Sequence, residues 1–489
     1  MAKQKQFTRL PKKQKAKTTA PESEAEFQEA ADFFEDTGGK WRAGDSAKSG
    51  RAFVRALDVY SKGISKHPKS FDLAYNKARL ELEITQCPAL VAHVGRPIVE
   101  LLEQALDSHR SALRLNEENQ DVLFNTSQVL TALAEQLSQA DDAARSIALF
   151  QEALELLSAC LSRQEMLLEQ QQAALADMDG GGVPLDAGEK RPSTAGSEDS
   201  GEMATVENPV TPSDLVDTVH ASLSALTSIV ALVEAEALQT YGDMAESLTE
   251  LRAPLYVDLL PAEDKLSAQA IVALDRAIFI AAFADAQYNA FMIEAETYLA
   301  RLDEFKVVQK EADVETLSSE ASARTEFALS VLTRFDGSPD LPFELCWRQL
   351  ALVQDLYSKI VKLESRSEIH LARGDAEMIR FRVATNGAAE TTENIRKAAP
   401  ILAQNAQTYY RGALKLTGGE DAIFKLKVQQ RLFIIAQLRA VIYEVIPEVD
   451  SAIPSTSHAE ANQALMGCVE EGLLDVAVAN EISRKLREK

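Results

Sequence analysis

The chain has 489 residues, with 75 Asp and Glu against 51 Lys and Arg and a net charge of -24. Such a chain repels nucleic acid and suits basic partners; the plainer reading of the acids is that they keep long helices solvated. Ala, Leu, Glu and Gln are abundant while Gly and Pro are modest, which points to an all-α protein. Cys87, Cys160, Cys346 and Cys468 are scattered without CxxC spacing, which argues against a disulfide framework or zinc site and fits a reducing compartment.

Residues 1–22 open the chain as a disordered basic tail: residues 1–18 hold seven Lys and Arg and no acid, leaving about -31 for the remainder. Lys12, Lys13, Lys15 and Lys17 are compatible with nuclear import or with an arm that touches RNA. The expected location is therefore cytoplasmic, with nuclear entry as the alternative. A first helix is predicted from a Ser23 cap, with Glu24, Glu26 and Glu29 in its early turns and Phe27, Ala30, Ala31 and Phe34 as its apolar stripe. Gly38-Gly39 predicts its end, and Lys40 to Arg51 a polar loop with Trp41 packed beneath it.

Ala56, Tyr60, Gly63 and Pro68 then stand at spacings of four, three and five, followed by Phe71 to Ala78. Ala105, His109 and Ala112 repeat the first two spacings, and Gln120 to Ser127 follows as Phe71 to Ala78 did. Small residues let helices approach closely, and the large residue between them fills the adjoining groove. Such units must stack to bury their apolar faces, so Ala56, Ala105 and Ser146 are expected to face a neighbouring helix. Asn76 pairs with Asn125 at a spacing of 49, longer than the common period of about 34 residues, so an insertion is expected within the irregular stretch Ile84 to Pro97. Ser146, Phe150 and Ala153 begin a third unit whose long helix runs to Met178.

Residues 179–213 read as a disordered acidic linker. Ser193, Thr194, Ser197 and Ser200 lie there beside acids, where a kinase could add charge. Helices resume with Leu215, Val216, Val219, Leu223, Leu226, Ile229 and Val230. Pro254 and Pro261 predict a connector over Leu251 to Pro261, and Leu266 to Phe305 reads as two helices or one bent one. A break at Asp336 to Pro342 precedes one helix over Phe343 to His370. Ala406, Tyr410 and Ala413 repeat the four-then-three spacing, with Gly418-Gly419 as the stop. Further helices are predicted over Ala422 to Ile446 and Glu460 to Leu486. No apolar run approaches bilayer length, the best candidate, Ala277 to Ala284, being bracketed by charges.

The spacing of Ala56, Tyr60, Gly63 and Pro68, with Ala74, Asn76 and Ala78 after it, resembles the tetratricopeptide repeat. The whole chain is also similar to uncharacterised fungal tetratricopeptide-like proteins. The resemblance implies antiparallel helix pairs stacked as a superhelix: TPR-like repeats over 23–178 and a second helical-repeat lobe over 214–489. It further implies a concave groove for an extended peptide or partner helix, lined by Asp72, Tyr75, Asn76 and Arg79 in one unit and Asp121, Phe124, Asn125 and Gln128 in the next. An Asn there can bracket a peptide backbone or bond a neighbouring helix, and Tyr75 and Phe124 can equally be interface core. Co-chaperone members hold acidic peptide tails in a basic clamp; here the first helix offers Glu24, Glu26, Gln28, Glu29 and Asp32 instead, so a basic ligand is expected.

No catalytic constellation is present. His67, His93, His109, His220, His370 and His458 show no metal-ligand spacing, and GxGxxG, GxxxxGK and GxSxG are absent. No enzyme activity, metal or cofactor is expected. The sequence points to an interaction scaffold, an adaptor or assembly chaperone holding a basic client segment such as one from a ribosomal protein. The alternatives are a structural subunit of a larger complex and an RNA-associated factor led by the tail.

Overall fold

A computed structural model describes residues 20–140, 142–180, 209–308, 313–335, 338, 340–386, 392–418, 422–445 and 457–488. The described residues are helical and contain no strand. The basic tail to residue 19, Asp141, and residues 181–208 of the acidic stretch lie outside them, as do Lys12, Lys13, Lys15, Lys17 and the four linker hydroxyls. The chain divides into two compact units, residues 1–141 and 142–489. The division falls ahead of the long helix that the sequence reading grouped with 23–178.

The first unit holds α1 (Glu24–Trp41), α2 (Ser46–Lys66), α3 (Phe71–Thr85), α4 (Pro88–Val94), α5 (Ile98–Leu115) and α6 (Gln120–Ser138). Ser23 caps α1 through a capping box with Glu26, each satisfying an otherwise unpaired backbone donor. Neighbouring helices pack on one another, α1 on α2, α2 on α3, α3 on α5 past the short α4, and α5 on α6. Ala56, Tyr60, Ala105, His109 and Ala112 are fully buried and Gly63 is buried, so the small-residue spacing marks helix crossings as expected.

Several local expectations are corrected in this unit. Gly38-Gly39 does not stop α1, which continues to Trp41. Gly38 is buried against α2, and a Cβ there would stand 2.5 Å from the Phe53 ring. It is a close-approach glycine rather than a terminator, although glycine is a poor residue for a helix interior. The expected loop shrinks to Arg42–Asp45, with Asp45 capping α2. Trp41 is 40% exposed and carries the Lys48 ammonium 3.1 Å above its ring centroid, so it is not packed under a loop. The stretch Ile84 to Pro97 is not irregular throughout: Pro88 opens α4, and Gly95, at φ 72°, closes it. Leu90 of α4 is fully buried, and the helix packs on α2 and α3. This inserted turn of helix accounts for much of the long spacing between the two repeat copies.

The second unit begins with α7 (Ala143–Gly180) and α8 (Pro212–Val230), which pack together; Ser146 and Ala153 are fully buried and Phe150 is 1% exposed. Thr218 Oγ1 donates to Gln164 Oε1 at 2.9 Å between them. All seven apolar residues predicted for α8 are buried. Then come α9 (Ala235–Glu246), a π-helical turn (Ser247–Arg252), α10 (Ala253–Leu259), α11 (Ala262–Asn289), α12 (Ala295–Arg301) and a 3-10 turn (Leu302–Lys306). The expected connector is thus largely helical. Pro254 lies in the first turn of α10, where its missing N–H costs nothing, and the π turn joins the helices without a gap.

The helix α11 also corrects the bilayer reading, since one 18-residue window has mean hydropathy 1.6 with few charges. That window is 33% buried, and α11 packs on α8, α9 and α13 (Val314–Arg334); a core helix meets the same hydropathy test. Beyond it lie α14 (Phe343–Leu363), α15 (Ser367–Thr385), α16 (Glu393–Leu416), α17 (Ala422–Tyr443), α18 (His458–Glu470) and α19 (Val476–Arg487). Two predicted single helices are therefore pairs: α14 and α15 part at Glu364–Arg366, and α18 and α19 at a turn where Gly472 adopts φ 70°. The Arg380 guanidinium stacks over Trp347, 4.7 Å from the ring centroid. Helices α11 to α19 share one continuous core built on residues such as Tyr298, Phe327, Ala406 and Leu432.

Candidate functional site

In the first unit α1, α3 and α6 lie side by side, and polar side chains tie each to the next. Asn76 Nδ2 donates to Gln28 Oε1 at 3.1 Å, joining α3 to α1. Asn125 Nδ2 donates to the Tyr75 hydroxyl oxygen at 3.1 Å, joining α6 to α3. Arg79 pairs with Glu35 of α1 and, at 3.3 Å, with Glu83 of its own helix. Burial works against the Arg79 charge, and the Glu35 and Glu83 carboxylates more than restore it. The Tyr75 ring stacks on Phe71 at 5.8 Å, and burial raises its hydroxyl to about 12.

Of the eight residues assigned to the groove, Tyr75, Asn76, Arg79 and Asn125 thus take part in this helix-to-helix lattice. Asp121 lies near enough to Tyr75 to act on its hydroxyl through charge. Asp72 and Asp121 are exposed, each one helical turn before its Asn on the same side of the helix, while Phe124 and Gln128 are half-buried on the Asn125 side of α6. Asp32 of α1 joins the row, accepting from Gln28 Nε2 at 2.6 Å. The resulting surface is a half-buried polar floor with carboxylates standing out of it. It offers acceptors and negative charge, which suit Lys, Arg or backbone N–H groups.

The floor is anchored from below. The Tyr60 hydroxyl, at the large-residue position of the α2 spacing, donates to Glu35 Oε1 at 2.6 Å. Helix, next helix and following helix are thus joined by Glu35, Tyr60 and Arg79. The same triad recurs in the second unit, where Tyr410 of α16 donates to Asp375 of α15 at 2.6 Å and Asp375 lies 3.3 Å from Arg431 of α17. Burial pushes Asp375 above the ordinary carboxylate range, with the Arg431 charge and the Tyr410 hydroxyl opposing it. Arg431 also reaches Glu471. The spacing identified both tyrosines, and Arg79 stood among the groove positions, but Glu35, Asp375 and Arg431 left no signal in sequence. Those partners sit on other helices at no fixed distance along the chain.

Histidine occupies the tyrosine's place in α5. Burial holds His109 neutral, its pKa down to about 4, and only the Ala78 backbone offsets this. Among the described residues no group of three or more His, Cys, Asp or Glu is arranged to hold a metal ion. Burial raises the Cys346 thiol to about 12 and Cys468 to about 11, which makes both poor nucleophiles at neutral pH.

No family model matches the chain. It is similar to UPF0656 protein C926.02 of Schizosaccharomyces pombe (strain 972 / ATCC 24843), with 32% identity over 155 residues. That alignment takes in 32% of this chain and 34% of the yeast protein, so it spans about a third of either.

Proposed function

We propose that this chain is a protein–protein interaction scaffold of the tetratricopeptide-like class, an adaptor or assembly chaperone that holds a basic client segment along the α1–α3–α6 face. The observation that carries this reading is the lattice Gln28–Asn76, Glu35–Arg79 and Tyr75–Asn125, which fixes three helices in a row beneath exposed carboxylates. No catalysis is part of the proposal. Asp72 and Asp121 stand exposed, one helical turn before Asn76 and Asn125, and are the probes of ligand contact. A fluorescein-labelled Lys/Arg-rich peptide should bind the full chain more weakly as salt rises, with Asp72→Asn plus Asp121→Asn reducing affinity roughly tenfold. Binding unchanged between low and high salt, or unchanged in the double variant, would refute the groove.

A second reading, a fixed subunit of a larger intracellular complex, is favoured by one surface feature. Leu251, Leu255 and Leu259, one helical turn apart through the π turn and α10, are 66%, 64% and 48% exposed. Rows of this kind mark protein interfaces more often than scattered single leucines do. Native protein from cells eluting at the mass of one chain would argue against it.

A further inference from the structure

In the second unit a pocket of about 480 Å³ opens between α11 and α13, within the roughly 300–1,000 Å³ typical of small-molecule sites. From α11 come Ile278, Ala281, Ala282 and Asp285, which helical spacing puts on one face. From α13 come Ser318, Ser319 and Ser322, with Glu326 one turn beyond. Small side chains on both helices leave the gap unfilled, and the buried rings of Tyr298 and Phe305 complete its inner wall. Ser322 and Glu326 are exposed and Asp285, Ser318 and Ser319 half-buried, so solvent reaches the polar groups.

The pocket holds two carboxylates and no cation: among the described residues no Lys, Arg or His lines it. Asp285 accepts from Ser330 Oγ at 2.5 Å, Asn289 Nδ2 at 2.9 Å and the Tyr298 hydroxyl. Those donors are neutral, so its charge stays uncancelled, and a carboxylate with about four acceptor sites has room for one more donor. Burial raises Asp285 above the ordinary carboxylate range; the protein around Glu326, and then the Asp285 charge, raise Glu326. The hydroxyls of Ser318, Ser319 and Ser322 make no hydrogen bond to protein among the described residues and are open to a ligand. Two acids are too few for a metal site, and no group arranged to hold a metal ion occurs among the described residues. An apolar wall leading to two uncompensated acids suits a hydrocarbon that ends in a positive nitrogen.

We propose that this pocket binds a small organic cation, an alkylammonium or alkylguanidinium, its charge between Asp285 and Glu326 and its hydrocarbon against Ile278 and Phe305. The serine hydroxyls take N–H groups that the carboxylates leave over. The site shares no residue with the α1–α3–α6 groove or with the row Leu251, Leu255 and Leu259, and depends on neither reading.

The test uses the full-length protein with labelled Ala and Ile methyl groups, and probes that share a hexyl chain and differ in the head. Hexylamine and hexylguanidine should shift the methyl signals of Ile278, Ala281, Ala282 and Ala323. Hexanol should bind roughly tenfold more weakly or worse, and hexanoate should not bind. Glu326→Gln, at an exposed position, should weaken both cations roughly fivefold or more and leave hexanol unchanged. Ala282→Leu, which puts a larger side chain into the pocket, should abolish binding of all the probes. Hexanol binding as tightly as hexylamine, affinity unmoved by Glu326→Gln, or no shift at all would overturn the assignment. So would shifts scattered over other Ala and Ile methyls, the mark of general attraction to an acidic chain. Tighter binding of N-acetyl-lysine methylamide than of hexylamine would give the pocket to a partner's side chain instead and overturn it as well.

Discussion

Tyr60 and Tyr410 stand at the same place in the same small-residue spacing, yet their triads sit in different surroundings. Each tyrosine donates to a carboxylate on the preceding helix, and each carboxylate meets an arginine on the following one. In the first unit the Arg79 side chain is 37% exposed; in the second, the Arg431 side chain is 5% exposed. Water therefore reaches the first arginine and is largely kept from the second, while the two carboxylates, Glu35 and Asp375, are similarly sheltered at 15% and 21%. One geometric device thus carries its arginine half out in water in one place and inside the helix packing in the other.

Breaking the two arginines separates the cases most sharply. Arg431→Ala should destabilise α15–α17 by about 3 kcal/mol, because it removes a buried guanidinium and leaves the half-buried Asp375 without its cation. Hydrogen exchange of those helices against denaturant would show it. Arg79→Ala should cost about 1 kcal/mol or less, since water can replace the lost partner. Equal losses would mean that exposure does not govern the device.

The histidine variant of the position sharpens the comparison through pH. The folded pKa of His109, about 4, lies below the ordinary 6.5, so the unfolded chain takes up the proton first. The stability this group contributes is whole above pH 6.5 and is lost as pH falls toward 4, on the order of 3 kcal/mol in all. His109→Phe, which copies Phe150 of α7, should remove that acid sensitivity from unfolding curves of the first unit. An unchanged acid limb would show that the ring is not held neutral.

A smaller effect is expected from the glycine beneath the second tyrosine. A Cβ on Gly374 would collide with the Tyr410 ring, so Gly374→Ala should cost about 1–3 kcal/mol. Gly39, with nothing within 4 Å of such a Cβ, should gain roughly 0.5–1 kcal/mol as alanine. Of the same order is Tyr60→Phe, which removes one hydroxyl while Glu35 keeps Arg79, at about 0.5–1.5 kcal/mol by thermal melting.

The features legible in sequence were those that repeat along it. The Ser23 cap, the α8 stripe and the buried spacings at Ala56, Ala105, Ser146 and Ala406 all follow from helical periodicity acting within one segment. Gly38, Pro254 and Gly472 were misread or missed because one residue type serves several roles. Glycine ends helices, permits close crossings and allows positive φ; proline both breaks and begins helices. Only the partner helix decides between them, as Phe53 does for Gly38. Four of the eight residues named for the groove form one bonded lattice, which is the helix-bonding alternative that the sequence left open for the two Asn residues. The bonds themselves were not legible, because Gln28, Glu35 and Tyr60 belong to other helices.

Each unit carries one of the chain's two tryptophans, and each indole lies under a cation: Trp41 beneath Lys48 and Trp347 beneath Arg380. Nature has thus fitted the halves with separate optical gauges. Replacing Trp41 by phenylalanine leaves the fluorescence of residues 142–489 alone, and replacing Trp347 leaves that of residues 1–141. The melting of either half can therefore be followed within the intact chain, without cutting it.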